Sequence, residues 1–175
     1  LIISEYVEGS SNNKYIEIFN GTGSNIDLSD YELQLFANGS SSPISNALSG
    51  TLSTGNTKVF RNSGANIYTG TTVVSSSTNF NGNDAIALHK ISTNSFVDIF
   101  GVIGNDPGSN WSIGGNTTEN KTLVRKGFVF GGVTTNPSTF STLGTDWTSY
   151  PEDTVSNLGT HSFDGGLSPS YVTGY

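Results

Sequence analysis

The chain has 175 residues and a formal net charge of −7, and this length indicates one domain or at most two small ones. Only 12% of the residues are charged, which excludes ion-pair-rich helices and coiled coils, and no apolar run approaches the roughly 18 residues of a membrane span. Gly, Ser, Thr and Asn make up half of the chain, but 11% aromatic residues can supply a core and argue against intrinsic disorder.

Short strand-like segments separated by turn sequences follow one another along the chain. In KYIEIFN, Ile16 and Ile18 alternate with Tyr15, Glu17 and Phe19, as in a strand with one buried face. Turns rich in Gly, Ser and Asn separate the segments, so the pattern predicts an antiparallel β-sandwich of about eight to ten strands. The predicted strands are residues 1–7, 14–20, 31–37, 57–61, 71–75, 84–90, 95–103 and 122–126, with a last one near 158–163.

Residues 104–157 show little alternation. They hold both tryptophans and three of the five prolines. We expect long ordered loops there, with at most one helical turn. The domain is predicted to span residues 1–163, and residues 164–175 are predicted to be a linker or C-terminal tail.

The order of the motifs resembles that of the lamin-tail domain family. ISEY at 3–6, KYIEIFN at 14–20 and IDLSDYELQLF at 26–36 are similar to the opening strands of that family, with Asp30 and Tyr31 in place of a Gly and a Trp. NGNDAIALHK at 81–90 and VDIFGVIG at 97–104 are similar to its later hairpin. The resemblance implies an immunoglobulin-like β-sandwich that is an accessory module without catalytic activity.

Motifs of the second half resemble a narrower group, the lamin-tail domains of secreted bacterial nucleases. They are DPGSNW at 106–111, TENKTLVRK at 118–126 and DWTSYPEDTVSNLGTHSF at 146–163. In that group the domain lies beside a separate catalytic domain, which this chain does not contain. The resemblance covers roughly residues 1–163 and implies an accessory role and no enzyme activity.

The acidic charge disfavours direct binding to nucleic acid, which needs clustered Lys and Arg. The one candidate basic cluster combines Lys121, Arg125 and Lys126 with Lys90 and Arg61. In a strand, Arg125 and Lys126 point to opposite faces, so we expect these residues to neutralise acidic neighbours. The chain has no cysteine, which excludes disulfides and thiolate metal sites.

Composition also suggests a compartment. A surface of Ser, Thr, Asn and Gly with little Lys or Glu is typical of secreted or cell-surface bacterial modules. The chain starts at Leu1, contains no methionine and shows no signal-like stretch. These features predict a mature or excised domain without membrane insertion.

Catalytic groups are sparse in this sequence. His89 and His161 are predicted to be structural, with His89 facing solvent on a strand next to Lys90. Glu5 and Glu17 lie in strands beside large apolar residues, and we interpret them as structural glutamates with hydrogen-bond partners. The alternative is a paired-carboxylate site for glycoside hydrolysis.

Two loop groups carry oxygen ligands of the kind that calcium prefers. Calcium takes roughly six to eight oxygen ligands, often from loop Asp and Asn. EF-hand spacing is absent, so the favoured interpretation is Asx turns and hairpin corners, with a structural calcium as the alternative and no other cofactor. The candidate ligands are Asp27 and Asp30 with Asn25 in the first group, and Asn81, Asn83, Asp84 and Asp106 in the second.

Aromatic residues give the candidate ligand-binding site. Trp111, Trp147 and Tyr150, with Tyr68, can form an exposed platform of the kind that sugars stack on, or the tryptophans can attach the long loops to the sandwich. We therefore predict a monomeric accessory module that binds a protein or a cell-surface polysaccharide through loops 104–120 and 144–157. The alternative function is a carbohydrate-binding module that uses surface aromatics.

Overall fold

A computed structural model describes residues 1–165. They form an immunoglobulin-like β-sandwich of fourteen strands with one short α-helix, Thr142–Thr145 (α1). The predicted all-β class is confirmed, although several strands are only two residues long. Of the predicted tail, residues 166–175 lie outside the described part. None of the described helices has the length and hydrophobicity to cross a bilayer.

The larger sheet has six strands, and strands from the start and from the end of the chain are neighbours in it. Neighbouring strands pair antiparallel, except for the last two in the order given next, which are parallel. In spatial order the six strands are Trp147–Pro151 (β14), Lys121–Arg125 (β13), Ile2–Glu8 (β1), Lys14–Phe19 (β2), Thr57–Arg61 (β7) and Val73–Val74 (β8).

The second sheet has four antiparallel strands, and two small ribbons accompany the sheets. Its strands in spatial order are Ser95–Phe100 (β10), Ala85–Lys90 (β9), Tyr31–Phe36 (β4) and Ile44–Ala47 (β5). The ribbons pair Ile26–Asp27 (β3) with Thr51–Leu52 (β6), and Ser112–Ile113 (β11) with Asn116–Thr117 (β12).

The main core lies between the two large sheets. The alternation of β2 sends Ile16 and Ile18 into it, as the sequence pattern predicts. The Tyr6 ring of β1 stacks on Phe100 of β10 with 4.3 Å between ring centroids. Phe100 in turn meets Trp147 of β14 edge-on at 5.2 Å, so aromatic rings from both sheets form one continuous cluster.

A buried ion pair also joins the sheets. Arg125 of β13 donates from Nη2 to Oδ1 of Asp98 on β10 at 3.3 Å, and both side chains are buried. Asp98 also accepts the backbone N–H groups of Ile3 at 2.9 Å and Val133 at 2.8 Å. Three donors therefore surround this carboxylate, which offsets the cost of burying its charge.

The outer face of the six-stranded sheet, turned away from the main core, is covered by residues 154–163, here called the C-terminal segment. Thr122 donates to the carbonyl of Thr154 at 2.8 Å, and Tyr68 donates to the carbonyl of Leu158 at 3.2 Å. Leu158 packs in a second apolar cluster with Val7, Tyr15 and others on this face.

In the second half of the chain, the structure differs from the prediction in two segments. Residues 158–163 form turns and irregular structure, so the predicted strand there is wrong. The N–H of Gly159 donates to Glu17 of β2, and the carbonyl of Leu158 accepts from Tyr68 in the loop after β7, so neither group pairs with a neighbouring strand. In the stretch predicted as loops, β14 pairs with β13 along its whole length, because Trp147 and Ser149 face inward while polar residues alternate with them.

Candidate functional site

A groove of about 440 Å³ lies between the outer surface of β13 and β14 and the C-terminal segment. We call it the β13–β14 groove. It is lined by residues 124–128, Thr148, Tyr150, Ser156, Asn157, Thr160 and Ser162.

Strand alternation decides which side chains reach this groove. Arg125 pairs with Trp147 across β13 and β14, and both side chains are buried, with the guanidinium 4.7 Å from the indole centroid. Residues one step away must point to the opposite face. Thr148 and Tyr150 therefore present their side chains to the groove, and Arg125 directs its charge to Asp98 inside the sandwich.

The groove combines rings with uncharged polar groups. Tyr150 and Phe128 supply the rings, and Phe128 is 57% exposed. Four hydroxyl side chains and the amide of Asn157 supply hydrogen-bonding groups, and Asn157 Nδ2 is buried without a partner in the described part of the chain. No carboxylate lies among the described residues that line it. Lys126, also a lining residue, donates from Nζ to the carbonyl of Thr145 at 2.7 Å.

Away from the β13–β14 groove, a pair of carboxyl groups is buried beneath the C-terminal segment. Glu5 of β1 and Glu17 of β2 are register partners, exposed by only 1% and 0%. Glu17 accepts from Ser4 Oγ at 2.6 Å and from the backbone N–H of Gly159 at 2.7 Å. Neither carboxylate oxygen of Glu5 has a hydrogen-bond partner within residues 1–165. The structure therefore supports a hydrogen-bonded, structural Glu17, but Glu5 lacks the partner that the sequence interpretation expected.

Burial changes the ionisation of these groups. Desolvation, with the nearby charge of Glu17, raises the pKa of Glu5 to about 9. Desolvation also raises the pKa of Glu17 to about 7, against hydrogen bonds that lower it. His161 stacks on Phe19 with 4.8 Å between centroids, and burial lowers its pKa to about 4. Because the C-terminal segment covers the two carboxyl groups, a substrate cannot reach them as an acid–base pair.

The carboxylates of Asp27, Asp30 and Asp84, all candidate calcium ligands, accept backbone N–H groups. Asp27 accepts the backbone N–H of Ser29, and Asp30 accepts the N–H of Ser92 at 2.8 Å. Asp84 accepts the N–H groups of Asn38 and Asn81 at 2.7 and 2.9 Å. Within residues 1–165, no group of three His, Asp or Glu side chains is placed to hold a metal ion.

Asn83 and Asp106 do meet. Asn83 Nδ2 donates to Asp106 Oδ1 at 3.1 Å and approaches Asn38 Oδ1 at 3.3 Å. Asp106 also accepts the N–H of Gly108 at 2.8 Å. The Asp106–Gly108 contact is an Asx turn, and the two Asn83 contacts join separate loops.

Both tryptophans are too buried to form an exposed binding platform, and His89 is too buried to face solvent. Trp147 is 1% exposed, and Trp111 is 7% exposed beside a depression of about 300 Å³. Of the three predicted ligand-binding residues, Tyr150 alone lines the β13–β14 groove. His89 is 9% exposed, contrary to expectation, with Nδ1 3.0 Å from Glu32 Oε1.

The basic residues do not form one patch. Arg61 on β7 donates to Thr72 and to backbone carbonyls of residues 62–65. Lys90 lies on the four-stranded sheet, with its Nζ 3.7 Å from Asp30 Oδ2. Phe128 is a lining residue that no sequence motif marks, and the run GFVFGG, two aromatic residues between glycines, is its one local signal.

Comparison with known proteins gives one family. The family model described as Lamin Tail Domain matches residues 1–104. Neither the curated proteins nor the solved structures contain a match to the chain.

Proposed function

Because the chain belongs to the lamin tail domain family, we propose that it is a non-catalytic interaction module of a secreted or cell-surface bacterial protein. The family supports an interaction role in general, and the Ser-, Thr-, Asn- and Gly-rich composition supports an extracellular setting. The motifs of the second half support a place beside a nuclease domain. The proposed function requires no cofactor.

The observation that carries this proposal is the β13–β14 groove. Its floor is a paired, antiparallel sheet, and its wall is held by hydrogen bonds from Thr122, Tyr68 and Gly159. A surface of this kind exists before a ligand arrives, so binding costs little conformational entropy. The expected partner is a protein or a polysaccharide, bound by a monomer. Double-stranded DNA is disfavoured by the charge of −7.

The test is co-sedimentation of the purified domain with insoluble bacterial cell-wall preparations. Ser156→Trp places a large ring in the groove and is expected to reduce the bound fraction at least fivefold. Ser42→Trp is the matched control, because Ser42 is also exposed but lies in a loop before β5. We expect the control to sediment like the original protein.

Three results would contradict the proposal. The first is a domain that stays in the supernatant with every wall preparation, and the second is a Ser156→Trp variant that sediments normally. The third is release of soluble sugars or nucleotides from wall or DNA substrates, which would show catalysis.

The second candidate function is carbohydrate binding. Tyr150 and Phe128 in a groove of hydroxyl and amide groups favour it over a purely protein-directed surface.

A further inference from the structure

We propose that the β13–β14 groove binds a neutral oligosaccharide, with the Tyr150 and Phe128 rings stacking on the sugar and Asn157 hydrogen-bonding to it. This inference rests on the proposed interaction function and names the ligand class of the same groove. A volume of about 440 Å³ falls within the range of roughly 300–1,000 Å³ of small-molecule sites.

The rings provide the apolar part of such a site. Sugars present C–H faces that pack on aromatic rings, and aromatic residues in an exposed position on a sandwich mark a binding surface. Tyr150 is held by β14, a regular strand. Phe128 has Lys126 Nζ 5.9 Å from its centroid, and this lysine is itself bonded to Thr145. The sheet therefore positions the Tyr150 ring, and the Phe128 ring lies in the loop after β13 beside Lys126.

The lining between the rings matches a polyhydroxylated ligand. Thr148, Thr160 and two serines can each donate and accept hydrogen bonds. Asn157 Nδ2 is a buried donor without a partner in the described structure. Buried donors nearly always have a partner, and a sugar hydroxyl or ring oxygen in the groove would supply one.

The charged side chains that line the groove favour a neutral ligand. The Arg125 guanidinium is engaged with Asp98, so Lys126 is the one cation available in the described lining. Single-stranded nucleic acids also stack on aromatic rings, but their binding depends on several Lys and Arg contacts to phosphates. A single lysine on a chain of charge −7 does not provide these contacts.

The experiment is isothermal titration of the full chain with defined neutral oligosaccharides from glucan, mannan, xylan and chitin. Acidic oligosaccharides and a single-stranded DNA oligomer are titrated in parallel. We expect at least one neutral oligosaccharide to bind. Phe128→Ala and Tyr150→Ala are expected to weaken that binding at least tenfold.

Phe130→Ala is the matched control. Phe130 is 61% exposed two residues from Phe128 but does not line the groove, so its loss should leave the affinity unchanged. Phe128 lies in an exposed loop, so its variant should keep the melting temperature even if Tyr150→Ala loses stability. Backbone amide shifts of residues 148 and 157 should change on titration.

The inference is overturned if no neutral oligosaccharide binds, if binding survives both substitutions, or if the acidic oligosaccharides or DNA bind in preference. Co-sedimentation that is blocked by Ser156→Trp in the absence of sugar binding would overturn the ligand class and leave the interaction function standing.

Discussion

Single buried carboxyl groups contribute to stability with opposite signs in this domain. Glu5 and Glu17 lose water and face each other, whereas Asp98 is buried among an arginine and two backbone donors. Removing a charge from the first site should therefore help the fold, and removing it from the second should harm the fold.

Glu5→Gln is expected to stabilise the domain at pH 8. The folded-state pKa values of about 9 for Glu5 and about 7 for Glu17 lie above the unfolded value of 4.5. Their stability contribution is therefore complete below pH 4.5 and is lost as the pH rises through 7 and 9.

His161 acts oppositely, because its lowered pKa of about 4 makes the fold lose stability as the pH falls below 6.5.

Thermal unfolding between pH 4.5 and 9 measures this effect. We expect Glu5→Gln to add about 1–3 kcal/mol at pH 8 and little at pH 4.5. Glu152→Gln is the control, since Glu152 is exposed and should leave the pH profile unchanged. An identical profile for Glu5→Gln and the original protein would contradict the prediction.

Asp98→Ala is expected to cost about 3–5 kcal/mol, because it leaves the Arg125 charge and two N–H groups buried without an acceptor. Urea denaturation measures the loss. Asp30→Ala, which removes exposed contacts with Lys90 and Ser92, should cost much less. Equal losses in the two variants would show that Asp98 is not a link between the sheets.

At the scale of elements, the C-terminal segment depends on a glycine. Gly159 has φ +95°, and a Cβ there would lie 2.7 Å from Tyr68 Oη. Gly104 has φ +83° and open space around it. Gly104→Ala should cost about 1–2 kcal/mol for its left-handed backbone, and Gly159→Ala should cost more. Chemical denaturation compares them, and a smaller cost at Gly159 would mean that the segment shifts freely.

The strands with strict alternation could be predicted from the sequence, but the position of the C-terminal segment could not. KYIEIFN and DAIALHK correspond to β2 and β9 because their apolar residues carry the local signal. β14 has only Trp147 as a large inward residue, which is too weak a pattern. The burial of Glu5 and Glu17 depends on residues 158–159, about 140 positions along the chain, so no local pattern reports it. Tyr150 could be predicted from the sequence as a surface aromatic residue. The groove could not, because residues from separate parts of the chain form it only in the folded structure.

At the scale of the whole molecule, the family match and the structural unit have different extents. The match ends at residue 104, but β13 and β14 lie beyond it, and β13 pairs directly with β1. Phe140, Leu143 and Trp147 also belong to the main core. The sandwich is therefore one unit through at least residue 151.

A fragment of residues 1–104 is expected not to fold. It would expose the edge of β1 and leave Asp98 without Arg125, and an unpaired edge of this kind favours aggregation. Far-UV circular dichroism should show no cooperative thermal transition for the fragment, in contrast to the full chain. A cooperative transition would show that the matched region is an independent domain.

The pairing of β1 with β13 also governs when the sheet can form. Glu5 pairs with Val124, so the central ladder joins positions more than a hundred residues apart in the chain. Contacts of such high sequence separation slow folding, typically into the range of milliseconds to seconds for all-β domains. During synthesis, β1 emerges long before its partner. Its ladder with β13 forms only after residues 121–125 have left the ribosome, and until then this edge of β1 is unpaired.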